Sequence, residues 1–361
     1  MSAPQADMSW RRVASILWFP IVFAIALPVT FEAAYHQPTP HNMPIAVVGS
    51  PDQVKLVTDE LDRIRPSGFE VRRSPSAAAA TAAVRDRTAA AAYVAGSTGT
   101  VYVTRAASAI RANYLQGIFT QIAAETRRQP PPVVDLVPLA SGDAGTGIFF
   151  FVFPLMMAGL ITAIVLLQLP TWGVGRRVIV VAAIGAIGAL AAYLTTVELH
   201  VLPGKPLLLA YAFLLTQVYG QLMVGAAPLL KQYFLPFSLM AALILSVPSS
   251  GGTVTPDLLP TLFHDLSYAF PLSQGVTVTR SVAYFHSSGM TQSTLVLGLW
   301  AVIAAATVAI AWRRQSRAQP AGVQRTPGAN GSAPDARRSS RALSATDPTP
   351  THGPRPEAVN S

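Results

Sequence analysis

The chain has no cysteine. That excludes disulfides, thiol catalysis and cysteine-based metal sites, and it leaves any folded domain to stand on its own core. Charge is scarce as well. Only 12% of the 361 residues are Asp, Glu, Lys or Arg, about half of the roughly 25% usual in soluble domains. The three lysines, Lys55, Lys205 and Lys231, follow no glycine loop. No G-x-x-x-x-G-K-[ST], H-E-x-x-H or G-x-S-x-G occurs, so the chain carries no Walker-type nucleotide site, zincin site or nucleophile elbow. No catalytic residue, cofactor site or metal site is assigned, and no cofactor is expected in this chain.

What is abundant is apolar: 51% of the residues are hydrophobic, and they cluster. A helix needs about 20 mainly apolar residues to cross a bilayer. Six stretches qualify, at 13–34, 147–169, 178–197, 206–230, 233–248 (somewhat short) and 294–312. In lipid only a helix satisfies its own backbone groups. The fold class is therefore a polytopic α-helical membrane protein of about six transmembrane helices with an inserted extracytoplasmic α/β domain.

Arginine sets the orientation. The formal charge is +9, but the basic residues flank the apolar runs or lie in the tail, which argues for membrane orientation and against nucleic acid as a partner. Arg11 and Arg12, Arg176 and Arg177, Lys231, and Arg313, Arg314 and Arg317 fall on one side if there are six spans. The expected location is the plasma membrane, multi-pass, with both termini cytoplasmic. Residues 1–12 then form a short cytoplasmic start, 35–146 an outer domain, 147–312 a five-helix membrane domain, and 249–293 an outer loop within it. An alternative for the first span is a cleaved signal peptide.

Within those spans there is almost no ionisable residue. A proton- or sodium-coupled carrier usually needs one near the midplane, so ion-coupled transport and ion-selective conduction are disfavoured. The most polar central groups are Gln217 and Gln221, four apart and so on one helix face. They either line a polar path or bond helix to helix. Gly185, Gly188 and the alanines of the third and sixth spans read as helix-packing faces.

Residues 44–140 alternate between two periods. Strands are expected at 44–49, 69–73, 90–95, 100–104 and 133–139, and helices at 51–64, 76–88 and 108–126. Such alternation predicts a small α/β sandwich. Asp52, Asp59, Glu60 and Asp62 read as the solvated face of the first helix, and His36 and His41 as lone histidines.

The outer loop is the most informative stretch. Ser249 to Gly252 break a helix. Thr255, Pro256 and Asp257 suit a helix start, and Leu258, Leu259, Leu262, Phe263 and Leu266 make an apolar stripe. A helix this short is expected in the membrane interface or dipping into the outer leaflet. Phe270-Pro271-Leu272 ends it, and a second short helix follows with Val276, Arg280 and Tyr284 on one side. The hairpin is expected to cap the bundle.

Here the chain resembles the ABC-2 type transporter permease superfamily, in its Pip-type (phage-infection-protein-like) branch. The resemblance rests on Ser250-Gly251-Gly252, Pro256, Leu259-Pro260, Pro271-Leu272-Ser273, and Arg280 followed by Tyr284, together with the order of one span, a large outer domain and five spans. It covers about residues 10–312. It implies a permease subunit that forms a homodimer, or a heterodimer with a related permease, in membrane lipid. A separate ABC ATPase would drive export of a lipid, drug or polymer. Gly251, Gly252, Pro256, Pro260, Pro271, Arg280 and Tyr284 would form an outer gate, and Gln217 and Gln221 a polar pathway face. An alternative of another class is a non-transporting cell-envelope scaffold or secretion accessory protein whose exported domain binds a partner; it is motivated by the large outer domain and the small cytoplasmic surface. The tail from 313 to 361, rich in Pro, Ser and Arg, reads as disordered.

Overall fold

The computed structural model describes residues 10–36, 38–96 and 98–318; the expected cytoplasmic start up to residue 9 and the tail from residue 319 lie outside them. The described part is mostly helical with one small sheet. It opens on α1 (Trp10–Tyr35), the first of five helices long and apolar enough to cross a membrane. Leu17, Trp18, Ile21, Val22, Ile25 and Val29 along it are exposed, a surface that suits lipid rather than water. Its far end is tied down: the Tyr35 hydroxyl donates to the carbonyls of Val247 and Pro248.

The α/β domain follows as β1 (Met43–Val48), α2 (Pro51–Ile64), β2 (Phe69–Arg73), α3 (Ala77–Arg85), β3 (Ala91–Val94), β4 (Thr100–Val103), α4 (Ala109–Glu125) and β5 (Val133–Asp135). The strands form one sheet in the order β2-β1-β3-β4-β5. β1 is parallel to β2 and β3, β4 is antiparallel to β3, and β5 is parallel to β4. Local chemistry explains the first helix. Ser50 and Gln53 form a reciprocal capping box and Pro51 takes the first helical position, satisfying amides that would otherwise lack partners. Its acidic face is solvated, with Lys55–Asp59 and Glu60–Arg63 pairs. Strand side chains alternate between faces. Met43, Ile45, Val47, Ala91, Val101 and Val103 meet α2 and α4 on one face, while Ala46 and Ala92 meet α3 on the other.

The bundle continues with α5 (Gly147–Leu167), α6 (Val174–Glu198) and α7 (Pro206–Leu230). Where α5 crosses α7, a Cβ on Gly159 would lie 2.6 Å from the Thr216 carbonyl and 2.9 Å from the Gly220 amide. Small residues permit this backbone approach. Gly185 plays the expected part in α6, since a Cβ there would collide with Thr216 and Gln217, whereas Gly188 meets only Ala158 at 3.8 Å.

At Lys231 the backbone takes φ 50°, ψ −122°, and the chain doubles back. The proof is side-chain geometry: the hydroxyls of Tyr219 and Ser246 are 3.1 Å apart, whereas a helix running straight on would separate them by about 40 Å at 1.5 Å per residue. The returning leg differs from the helix expected at 233–248. It is a 3-10 turn, then α8 (Phe234–Leu239), then a π-helical stretch Met240–Ser246. After it come α9 (Thr261–Ser267), α10 (Pro271–Tyr284) and α11 (Thr291–Ala318). α11 corrects the reading of Arg313 onward as disordered: it stays helical through Ala318, in a stretch of good helix formers.

Two contacts fix which ends share a side. The Val174 amide, at the start of α6, donates to the Gln315 side chain near the end of α11 (2.9 Å), and Arg177 donates to the Leu169 carbonyl (2.9 Å). Arg176, Arg177, Arg313, Arg314 and, at the end of α7, Lys231 therefore gather at one end of the bundle. The α/β domain sits at the other, where the Gly142 amide donates to the His200 carbonyl beyond α6 (3.0 Å).

Candidate functional site: a hairpin clamped between domain and bundle

The hairpin starts where two glycines are obligatory for different reasons. Gly251 has φ +68°, the left-handed region that a Cβ disfavours. Gly252 has ordinary backbone, but a Cβ there would lie 2.6 Å from the Phe149 ring of α5. Pro256–Leu258 is a tight 3-10 turn, Leu259 is extended, and α9 begins only at Thr261. Thr255 makes no side-chain cap bond.

Part of the apolar stripe is covered by the α/β domain. Leu258, Leu259 and Phe263 are buried in the same cluster as Met43, Ile45, Val47 and Leu115 of the α/β domain. Leu262, by contrast, is 60% exposed. Amphipathicity states that a face is buried, not against what. Here the sheet's open flank beside α2 and α4 supplies the surface.

α10 then runs into the bundle, and nearly all of it is buried. Gly275 packs between Val152 of α5 and Leu215 of α7. From this helix Arg280 reaches back, its Nη2 donating to the Gly251 carbonyl at 3.1 Å, so the two limbs close on each other. The Tyr284 hydroxyl is 3.3 Å from the Val201 carbonyl, to which it donates, and 3.4 Å from Asp143 Oδ2. Asp143 in turn accepts from the Gly145 and Gly147 amides at the start of α5 (2.7 and 2.9 Å). Gly251, Gly252, Pro256, Pro260, Pro271, Arg280 and Tyr284 thus belong to one packed element.

Three cations converge on it. Arg111, in the first turn of α4, pairs with Asp257 at 3.0 Å, with side chains only 14% and 19% exposed. Arg87, just after α3, donates to Ser281 Oγ at 3.0 Å and to the Ser288 carbonyl, and its guanidinium lies 4.6 Å from the centre of the Phe285 ring. Arg280 completes the set. Burial opposes the charge on Asp257, but the Arg111 guanidinium prevails and holds the carboxyl below its ordinary value. Burial, followed by the like charge of Arg111, lowers the Arg87 pKa. Burial and the charges of Arg111 and Arg87 bring Arg280 down to about 10. Asp257 Oδ1, Arg280 Nε, His41 Nδ1 and Ser249 Oγ are buried without a partner. Such groups favour a structure that can rearrange or admit water. The cluster brings no nucleophile to a general base, and among the described residues no group of three or more His, Asp or Glu side chains could hold a metal ion. Its chemistry is that of a clamp.

Gln217 and Gln221 lie elsewhere, in the middle of α7. Gln217 donates to the Val181 carbonyl (3.4 Å), and Gln221 to the Val178 carbonyl (3.1 Å) and to Gln217 Oε1 (2.9 Å). They bond α7 to α6. They also border a cavity of about 410 Å³ between α6, α7 and α11, otherwise lined by Ala, Val and Trp312.

No protein-family model, curated protein or solved structure matches the chain. The geometry alone therefore carries the functional reading. Sequence reasoning assigned Asp257 only to a helix start and passed over Arg87, Arg111 and Asp143. A carboxylate alone in the apolar segment Thr255–Pro260 was the available signal, since such a group needs a buried partner; nothing in the sequence marks Arg87.

Proposed function

We propose that the chain is the membrane-spanning permease subunit of an ABC-2-like export system, moving a lipid, drug or polymer with a separate ATPase. The reversal at Lys231 supports six crossings rather than five. The basic residues gathered at one bundle end support cytoplasmic termini at the plasma membrane and an extracytoplasmic α/β domain. One observation carries the functional step: α10 enters the bundle from the domain end and is buried among α5 and α7, while its partner limb is held by the domain through Arg111–Asp257. A plug held from outside by a charge pair is an arrangement suited to an outer gate. Gln217 and Gln221 would border the polar pathway. The exposed apolar face of α1 suits lipid or a second permease chain, in a homodimer or a heterodimer.

The test is isolation of the tagged chain from its native membranes in mild detergent. An ABC ATPase is expected to co-purify, and vesicles holding both proteins are expected to hydrolyse ATP faster than the ATPase alone. Failure to recover any ATPase would overturn the proposal. A non-transporting envelope scaffold or secretion accessory is favoured by a different observation: the described connections at the basic end are short, from Gln168 to Gly173 and from Lys231 to Tyr233, and offer an ATPase little to hold. That function predicts recovery of envelope or secretion proteins instead.

A further inference from the structure

β1 and β3 are parallel neighbours whose chains leave in opposite directions. From Val48 the chain passes through α2 to β2 on one side; from Val94 it turns to β4 on the other. In an open α/β sheet such a divergence opens a crevice beyond the carboxyl ends of the two strands, and ligands bind in crevices of this kind. The crevice here is a cavity of about 370 Å³, within the roughly 300–1,000 Å³ of small-molecule sites.

Its walls define what fits. The Tyr93 and Phe119 rings stack with centroids 5.3 Å apart and planes 12° from parallel, and both line the cavity with Val57, Ile122 and Ala123. Gly99, at φ +70°, lies against Tyr93 so closely that a Cβ would strike its hydroxyl; glycine lets the β3–β4 turn lie close against this ring. The polar lining includes Gln53, Thr98, Gln129 and Arg128. Gln53 Oε1 is already used, accepting from the Ser50 amide at 2.8 Å, which leaves its amide nitrogen as a donor. Among the described lining residues Arg128 is the one charged group and no carboxylate faces it. An apolar slot with donors and a cation at its edge matches a molecule with an apolar body and one anionic end.

We infer that the cavity between α2, the end of β3 and α4 is a binding site for a small amphiphilic carboxylate, its apolar body against Tyr93, Phe119 and Ile122 and its anionic end at Arg128. The site is independent of the transport proposal: a chain with no ATPase partner would still bind. The full chain in lipid nanodiscs is irradiated with decanoate carrying a diazirine near its tail, digested and mapped by mass spectrometry. Adducts are expected on the peptides bearing Leu56, Tyr93 or Ile122. Unlabelled decanoate should remove them, while decylamine should compete far less well. Arg128→Glu should lower the yield several-fold and Ala123→Trp should abolish it. Ala123 is buried, so the exposed Arg128 position carries the test should the tryptophan variant fail to fold. Equal competition by decylamine, or adducts at these peptides unchanged in Arg128→Glu, would overturn the assignment, as would adducts confined to the membrane helices.

Discussion

Arg111 and Asp257 lie 146 positions apart in the chain and meet at 3.0 Å. One belongs to the α/β domain and the other to the loop that re-enters the bundle, so the pair couples these two parts alongside the Arg87 contacts and the buried Leu258, Leu259 and Phe263. Removing one partner of a buried pair leaves an uncompensated charge and costs roughly 3–5 kcal/mol. Because both side chains keep some exposure, Arg111→Ala and Asp257→Asn are expected near the low end, about 3 kcal/mol each, with the double variant less destabilised than the sum. Thermal unfolding in detergent measures this. The pH dependence has a definite sign. Asp257 has its pKa lowered from 3.8 in the folded chain, so its contribution is present above pH 3.8 and is lost as pH falls through the lower folded value. The gap between wild type and Asp257→Asn should hold steady near neutrality and close in strong acid. A gap unchanged at low pH would show that the charge is not its source.

Much of this fold was readable from sequence because local signals sufficed. Ser50, Pro51 and the stripe Val54, Val57, Leu61 and Ile64 define α2, and the observed Pro51–Ile64 matches the expected range. The helix at 206–230 was equally direct, since Pro206 opens an apolar run of spanning length. What escaped depends on partners distant in the chain. The Leu258–Phe263 stripe announces a buried face but not that the domain covers it. Gly159 and Gly220 look like ordinary glycines until α5 and α7 are laid across each other. After the 3-10 turn at Lys231 the returning leg is helical over Phe234–Ser246, α and then π, and its far end meets Tyr219 and Tyr35 through contacts that no local periodicity encodes. At the candidate site, Gly251, Gly252, Arg280 and Tyr284 were visible as a pattern, but the clamp that holds them comes from Arg87 and Arg111, to which nothing in that pattern points.

The reversal at Lys231 makes a topological prediction that the cysteine-free chain suits well, because any introduced cysteine is unique. Ser74→Cys in the domain and Ser287→Cys after α10 should react with a membrane-impermeant maleimide from one side of the membrane. Lys231→Cys should react only from the other. Labelling of Lys231→Cys and Ser287→Cys from the same side would require a straight helix through 206–246 and would remove the sixth crossing.

The tightest helix crossings should be the least tolerant of added volume. A Cβ on Gly220 would collide with Val181, and one on Gly225 would lie 2.5 Å from the Val308 amide of α11. Overpacking typically costs 1–3 kcal/mol, and backbone cannot move aside as a flexible side chain can. Gly225→Val is expected to destabilise the fold by that order and so to lower the thermal midpoint. Gly298→Val, where a Cβ would meet nothing within 4 Å, should leave it unchanged. Equal midpoints for the two variants would mean that α7 and α11 do not pack as described.

Gln217 and Gln221 discriminate between a structural and a transporting role. As helix-to-helix bonds, they are worth little: interhelical hydrogen bonds in membranes average about 0.6 kcal/mol. Gln221→Leu should therefore cost about 0.6 kcal/mol, to judge from the single donation to Val178 and its link to Gln217. A pathway role adds a second effect without changing the first. If the two amides border the route of the substrate, Gln217→Leu and Gln221→Leu should cut transport in ATPase-containing vesicles several-fold while the unfolding midpoint moves only slightly. Transport equal to wild type in both variants would leave the pair as a link between α6 and α7 and place the route on another face.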